Sequence, residues 1–279
     1  ITSIFVSTNA FSLAVKPRVV YGIDDRMDVF ESSDSLMKNL SRSVAVQILD
    51  HNLTLENDRY LLDKKTLADE GMCKTERFVD QPAAGNCSGF LIAPDVLVTA
   101  GHCVRDVDNC QNHYWIFDYA NYDSVQTGFS FSKDQMFRCT EIISRVKENG
   151  PGADFAVVRL DRVANGRKPF NFRKSGTVNS DSVLTIIGFP SGIPLKITTG
   201  AVIRDNSNPS FFVMNSDTYG GNSGSAVIDT RTGTVEGILV RGDTDYEKSA
   251  TEDCYVSVNR SNENGRGEDA TRITLINKH

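Results

Sequence analysis

Peptide-bond or ester hydrolysis needs an activated nucleophile, a base, a group that orients the base, and donors for the oxyanion. Three short strings carry residues of those types. V-T-A-G-H-C (98–103) ends an apolar run on His102, with Cys103 behind it. D-F-A-V-V-R-L (154–160) opens an apolar run with Asp154. G-G-N-S-G-S-A-V (220–227) presents Ser223 on a glycine turn, where the N–H groups of Gly221 and Ser223 can point into one small space. Taken singly, these strings read as a core histidine, a turn aspartate and a glycine-serine loop. Their combination, in the order His, Asp, Ser with separations of 52 and 69 residues, is what points to nucleophilic catalysis.

The elements that must position these residues read as β. Of 279 residues, 39% are hydrophobic and 24% charged, which suits a folded chain. The net charge of −6 argues against non-specific binding of nucleic acid. No apolar run reaches the length of a membrane-spanning helix, and the best one, 90–100, is broken by Pro94 and Asp95. From Cys87 onward, short runs rich in Val, Ile, Thr and Phe are separated by Gly, Pro, Asn and Asp. They cover 87–93, 96–100, 114–119, 137–145, 155–160, 183–188, 195–203, 211–215, 225–229, 234–240 and 254–258. Many short strands without alternating helices indicate an all-β barrel or sandwich. A loop at 171–181 splits them into two groups, which predicts two small barrels. Residues 50–72, with Leu53, Leu55, Leu61, Leu62 and Leu67, suggest a helical insertion.

The flanking strings C-S-G-F-L-I-A and V-T-A-G-H-C, together with the triad order, resemble the chymotrypsin/trypsin-like serine proteases. The similarity is greatest to the bacterial glutamyl-endopeptidase (V8-like) branch, over about residues 19–49 and 87–270. It implies two six-stranded antiparallel barrels: 43–175, with the insertion, carrying His102 and Asp154, and 176–279 carrying Ser223. It also implies that His102 is the general base, Asp154 its orienting partner, Ser223 the nucleophile, and Gly221 and Ser223 the oxyanion donors. Asn222 stands where chymotrypsin has an Asp that pairs with the new N-terminus. The resemblance further implies a Cys87–Cys103 disulfide. Sequence does not fix the connectivity of the other four cysteines, for which Cys110–Cys139 and Cys73–Cys254 are expected.

For the primary specificity pocket, the expected residues are Asp217, Thr218, Leu239, Val240, Arg241 and Gly242. Asp217, six residues before Ser223, would select Arg or Lys. Thr218 matches a pocket threonine of the glutamyl enzymes, whereas Leu239 replaces their pocket histidine. The alternatives are therefore a glutamyl endopeptidase or an inactive protease-like binding protein. No Cys occupies the nucleophile turn, so a cysteine protease is excluded.

Residues 1–14 read as the tail of a signal peptide and 15–42 as an N-terminal arm or pro-segment, with cleavage after Arg18 giving a mature Val19. The even cysteine count and that leader predict a secreted or periplasmic protein. We expect a monomer acting on protein or peptide substrates, with no cofactor, no metal, no nucleic acid and no membrane. The acidic loop 243–247 lacks the spacing of a calcium-binding loop and reads as solvated.

Overall fold

The computed structural model describes residues 18–278 apart from 64, 125–127 and 263; the proposed leader 1–14 lies outside the described residues. Two antiparallel barrels form. The first closes through Met136–Lys147, Asp154–Leu160, Val96–Thr99, Gly85–Ala93, Val44–Leu49 and His113–Phe117. The second closes through Val183–Gly188, Ala226–Asp229, Val235–Arg241, Glu268–Arg272, Phe211–Asn215 and Lys196–Asp205.

The alternation of side chains along a strand explains the architecture. In the first barrel, Ala45, Leu91, Leu97, Trp115, Phe117, Ala156 and Val158 fill the interior. Their neighbours Val44, Val46, Phe90, Val98, Ile116, Phe155 and Val157 belong to a different cluster, shared with Ile187, Ile197, Ala226, Ile228 and Ile238 of the second barrel. The second barrel fills its own interior with Leu184, Ile186, Phe212, Met214, Val227, Leu239 and Ala270. Strands buried on both faces cannot show a polar face, which is why these runs read as nearly continuous apolar segments.

Two expectations need correction. The insertion is not helical: Leu53–Glu56 and Arg59–Leu62 form a hairpin that adds Ser130–Phe131. Its turn, Asn57-Asp58, takes positive φ at both residues (47° and 63°), the backbone a two-residue hairpin requires. Leu53 and Leu55 alternate in the first arm and Leu61 and Leu62 are adjacent in the second, so only the spacing across the turn imitates a helix. In addition, the final barrel strand is Glu268–Arg272, whereas Tyr255–Ser257 pairs outside the barrel with Tyr246–Lys248. All five residues of Glu268–Arg272 are buried. Most of them are polar, so hydropathy hides the strand.

The arm is built onto the second barrel. Arg26–Asp28 pairs with Lys196–Thr198, and the buried Lys196 ammonium donates to Asp28 Oδ1 (2.6 Å), Gln81 Oε1 (2.7 Å) and the Pro194 carbonyl (2.9 Å). The strand Arg18–Tyr21 lies parallel to Asn259–Arg260. Three disulfides join Cys87 to Cys103, Cys110 to Cys139 and Cys73 to Cys254.

The Cys87–Cys103 bridge, with a sequence separation of 16, closes a short loop around the histidine turn. Replacing both cysteines by serine is expected to cost about 3 kcal/mol on the loop-entropy account. Urea unfolding followed through Trp115 fluorescence measures this, and an unchanged midpoint would refute it.

Candidate active site

His102 sits on the turn Gly101–Cys103 that follows the strand Val96–Thr99. Only glycine fits before it, because a Cβ on Gly101 would stand 2.2 Å from the Val146 carbonyl oxygen and 2.8 Å from that of Phe155. The turn therefore rests directly on the two strands that lead to Asp154. Arg145 Nε donates to the Gly101 carbonyl at 2.8 Å and tightens that contact.

Asp154 is fully buried and grips the histidine twice. Its Oδ1 accepts the His102 backbone N–H at 3.0 Å, and its Oδ2 lies 2.9 Å from Nδ1. A proton on Nδ1 would be held by that carboxylate, which leaves Nε2 as the acceptor nitrogen. Asp154 N donates to Thr271 Oγ1 at 3.2 Å, which ties the aspartate to the second barrel. Lys147 Nζ lies 3.3 Å from Oδ2 and Arg241 Nη1 3.9 Å. Burial alone would raise the carboxyl pKa. The hydrogen bond and charge of His102, then the charge of Lys147, outweigh it and hold the group below its ordinary value.

Ser223 is presented from the second barrel on the glycine turn. Gly221 has φ of +88°, and a Cβ there would meet the Phe189 carbonyl oxygen at 2.5 Å, so no other residue is accommodated. Among the described residues, the N–H groups of Gly221 and Ser223 have no hydrogen-bond partner, and neither has the Ser223 hydroxyl. Bonds between base and nucleophile are often long before substrate is bound.

Ser88, in the first-barrel strand Gly85–Ala93, clamps this turn. Its N–H donates to the Ser223 carbonyl at 2.8 Å and its hydroxyl to the Gly221 carbonyl at 2.8 Å. The hydroxyl also accepts from Phe189 N at 3.1 Å. Cys103 Sγ lies 3.7 Å from the Ser223 carbonyl oxygen, so the residue beside His102 abuts the turn carrying Ser223. Both sulfurs near His102 are committed to a disulfide, which leaves that cluster without a thiolate for metal binding.

The other expected pocket residues are distributed unevenly. Both Asp217 oxygens are occupied by backbone amides of the arm, Tyr21 N at 2.7 Å and Asp25 N at 2.8 Å. Thr218 Oγ1 donates to Glu268 Oε2 at 2.6 Å. Leu239 and Val240 are buried, and Leu239 accepts Gly224 N at 2.7 Å. Arg241 is held by Asp269 at 3.0 Å and the Gly152 carbonyl at 2.9 Å. Gly242 lies against Glu268. Arg18 and Val19 lie in the strand beside Asn259–Arg260.

Sequence reasoning missed Ser88, Lys147 and Glu268. Ser88 adjoins the disulfide cysteine in C-S-G-F-L-I-A, and that adjacency was the available signal. Glu268 stands in E-D-A-T-R, where nothing announces a buried strand.

Burial pushes Asp217 up to about 7 and Glu268 up to about 8; the hydrogen bonds each accepts only partly offset this. A carboxyl with a raised folded-state pKa holds a proton that the unfolded chain releases near pH 4. Stability then falls as pH rises from about 4 to about 8. The urea midpoint should fall over this range, and less steeply in Asp217→Asn and Glu268→Gln. Equal slopes in all three proteins would contradict the assignment.

A model of the trypsin-like peptidase domain matches residues 87–238, more than half of the chain. Among curated proteins, none matches the sequence. A Glu endopeptidase solved in complex with MPD shares the fold at 18% identity and a TM-score of 0.51, over 93% of this chain and 98% of that one. The serine endoprotease from Yersinia pestis does so at 14% identity and a TM-score of 0.50, over 89% of this chain and 66% of that one.

Proposed function

Because this chain belongs to the trypsin-like peptidase family and is a serine peptidase, we propose that it is a secreted endopeptidase acting through Ser223, His102 and Asp154, with Arg or Lys preferred before the scissile bond. The single observation that carries this reading is the double grip of the buried Asp154 carboxylate on His102, beside a glycine turn that presents Ser223.

In this mechanism His102 Nε2 takes the Ser223 proton as the hydroxyl attacks the substrate carbonyl. Asp154 keeps the other ring nitrogen protonated and stabilises the imidazolium that forms. The N–H groups of Gly221 and Ser223 receive the charge that develops on the carbonyl oxygen. His102 then returns the proton to the leaving amine, and water repeats the sequence on the acyl-enzyme. A protonated His102 cannot act as base, so activity falls on acidification.

A preference for Arg or Lys is supported by the buried carboxyl of Glu268, which accepts from Thr218 in the segment leading into the glycine turn. The glutamyl alternative relies on Thr218, whose hydroxyl is donated to Glu268. Secretion is supported by three disulfides and by the apolar stretch 1–14. Cleavage after Arg18 would leave Val19 as the mature terminus of the strand beside Asn259–Arg260.

Ser223→Ala and His102→Ala are each expected to reduce kcat by about 10⁶-fold. Asp154→Asn should cost about 10⁴-fold, because the wrong imidazole tautomer is then held. Steady-state peptide hydrolysis measures these losses; full activity in Ser223→Ala would end the reading in favour of a contaminant. A wild-type protein that binds peptides without cutting them would favour the inactive binding protein. N-terminal sequencing of wild type and Ser223→Ala tests processing. Val19 is expected in the wild type, and a fully active enzyme starting upstream would exclude obligatory cleavage there.

A further inference from the structure

Glu268 opens a strand on which the other charged groups are compensated. Asp269 is paired with Arg241 at 3.0 Å and Arg266 at 2.7 Å, and Arg272 donates to the carbonyls of Asn206 and Asn208. Glu268 is 3% exposed and receives neutral donors: Thr218 Oγ1 at 2.6 Å on one oxygen and Asp243 N at 3.3 Å on the other. Among the described residues, no Lys or Arg pairs with it within 4.0 Å. A desolvated carboxyl without a cation is an unfavourable arrangement that a basic ligand would relieve.

Its position lies between two segments that flank Ser223. Thr218 is in the segment leading into the glycine turn. Gly242 follows the strand Val235–Arg241, which is fastened to the same turn by Gly224 N to Leu239 O at 2.7 Å and Leu239 N to Ser225 O at 3.1 Å. A Cβ on Gly242 would stand 2.0 Å from Glu268 Oε2. The carboxyl therefore touches the bare α-carbon of one segment and accepts a hydrogen bond from the other. Asp217 is placed differently. Besides its two bonds to the arm, it lines a cleft of about 210 Å³ with Tyr21, Ile23, Asp25 and Asn215, and that cleft includes neither His102, Ser223 nor Gly242.

We propose that Glu268, rather than Asp217, is the specificity-determining carboxylate that selects Arg or Lys immediately before the scissile bond. The proposal rests on the protease reading above. A guanidinium or ammonium entering between Thr218 and Gly242 meets Glu268 in a charge-assisted hydrogen bond, strong in a water-poor site. A cationic side chain favours the ionised form of Glu268, which releases its proton to solvent, whereas an acidic side chain gains no such partner. Gly242 sets only its bare α-carbon against the carboxyl, and a Cβ there would collide with Oε2. Asp217 anchors the arm.

The test compares kcat/KM for peptides that differ only in that residue, as Arg, Gln or Glu. Wild type, Glu268→Gln, Gly242→Ala and Asp217→Asn are measured, with folding checked by circular dichroism. The wild type is expected to favour Arg over Gln and Glu. Glu268→Gln should lose about a hundredfold of the Arg-over-Gln ratio, the effect of removing one partner of a buried charge pair. Gly242→Ala should erode the same ratio, and Asp217→Asn should keep it. The proposal is overturned if Glu268→Gln keeps the wild-type ratio, if Asp217→Asn abolishes it, or if the wild type prefers Glu. A wild type that cuts none of the peptides would instead defeat the protease reading itself.

Discussion

The catalytic reading depends on one seam, the hydrogen bonds of Ser88 across the two barrels. His102 and Asp154 belong to one barrel and Ser223 to the other, and proton transfer tolerates little error in their separation. An apolar contact between barrels supplies adhesion but little directional control. Ser88 adds direction, because its N–H and hydroxyl hold the carbonyls of Ser223 and Gly221, and its own carbonyl accepts Thr99 Oγ1 at 2.7 Å. Since Thr99 ends the strand before the histidine turn, Ser88 links the nucleophile turn to the base through two hydrogen bonds. Thr271, which accepts Asp154 N, adds a second crossing between the barrels.

Electrostatics within that seam are unevenly distributed. Asp154 has cationic neighbours in Lys147 and Arg241 and stays ionised despite burial. Asp217 and Glu268 lack comparable compensation and hold their protons to about pH 7 and about pH 8. Beside His102 the first barrel thus keeps an ionised carboxylate, while the second barrel buries carboxyls that stay neutral. Burying such acids is costly to folding once the unfolded chain would release their protons, and the proposed cation recognition gives Glu268 a reason to be kept.

Much of this was legible in the sequence. The three strings containing His102, Asp154 and Ser223 carried both chemistry and local geometry, because glycine at 101 and 221 is required by close approach and positive φ. The apolar strand runs were legible because most are buried on both faces. Glu268–Arg272 was not, since its polar groups meet partners distant in sequence, Arg241 for Asp269 and Thr218 for Glu268. Leu53–Leu62 misled for the opposite reason: Leu55 is largely exposed, so its leucines report pairing in a surface hairpin rather than a helical face. The spacing of Asp217 from Ser223 could not reveal that the arm folds back onto both of its oxygens. The groups around Glu268 were not legible because they come from segments far apart in the chain, Thr218, Asp243 and Glu268.

The most direct test of the seam is the rate at which a fluorophosphonate modifies the nucleophile in wild type, Ser88→Ala and Ser223→Ala. Ser88→Ala keeps the backbone bond to Ser223 but removes the hydroxyl that holds Gly221 and Phe189. The account predicts rapid labelling at Ser223 in the wild type and none in Ser223→Ala. In Ser88→Ala it predicts a second-order rate constant lower by about 10- to 100-fold, near the lower range for loss of an oxyanion donor. Labelling of Ser88→Ala at the wild-type rate, or labelling of the wild type at a residue other than Ser223, would contradict it.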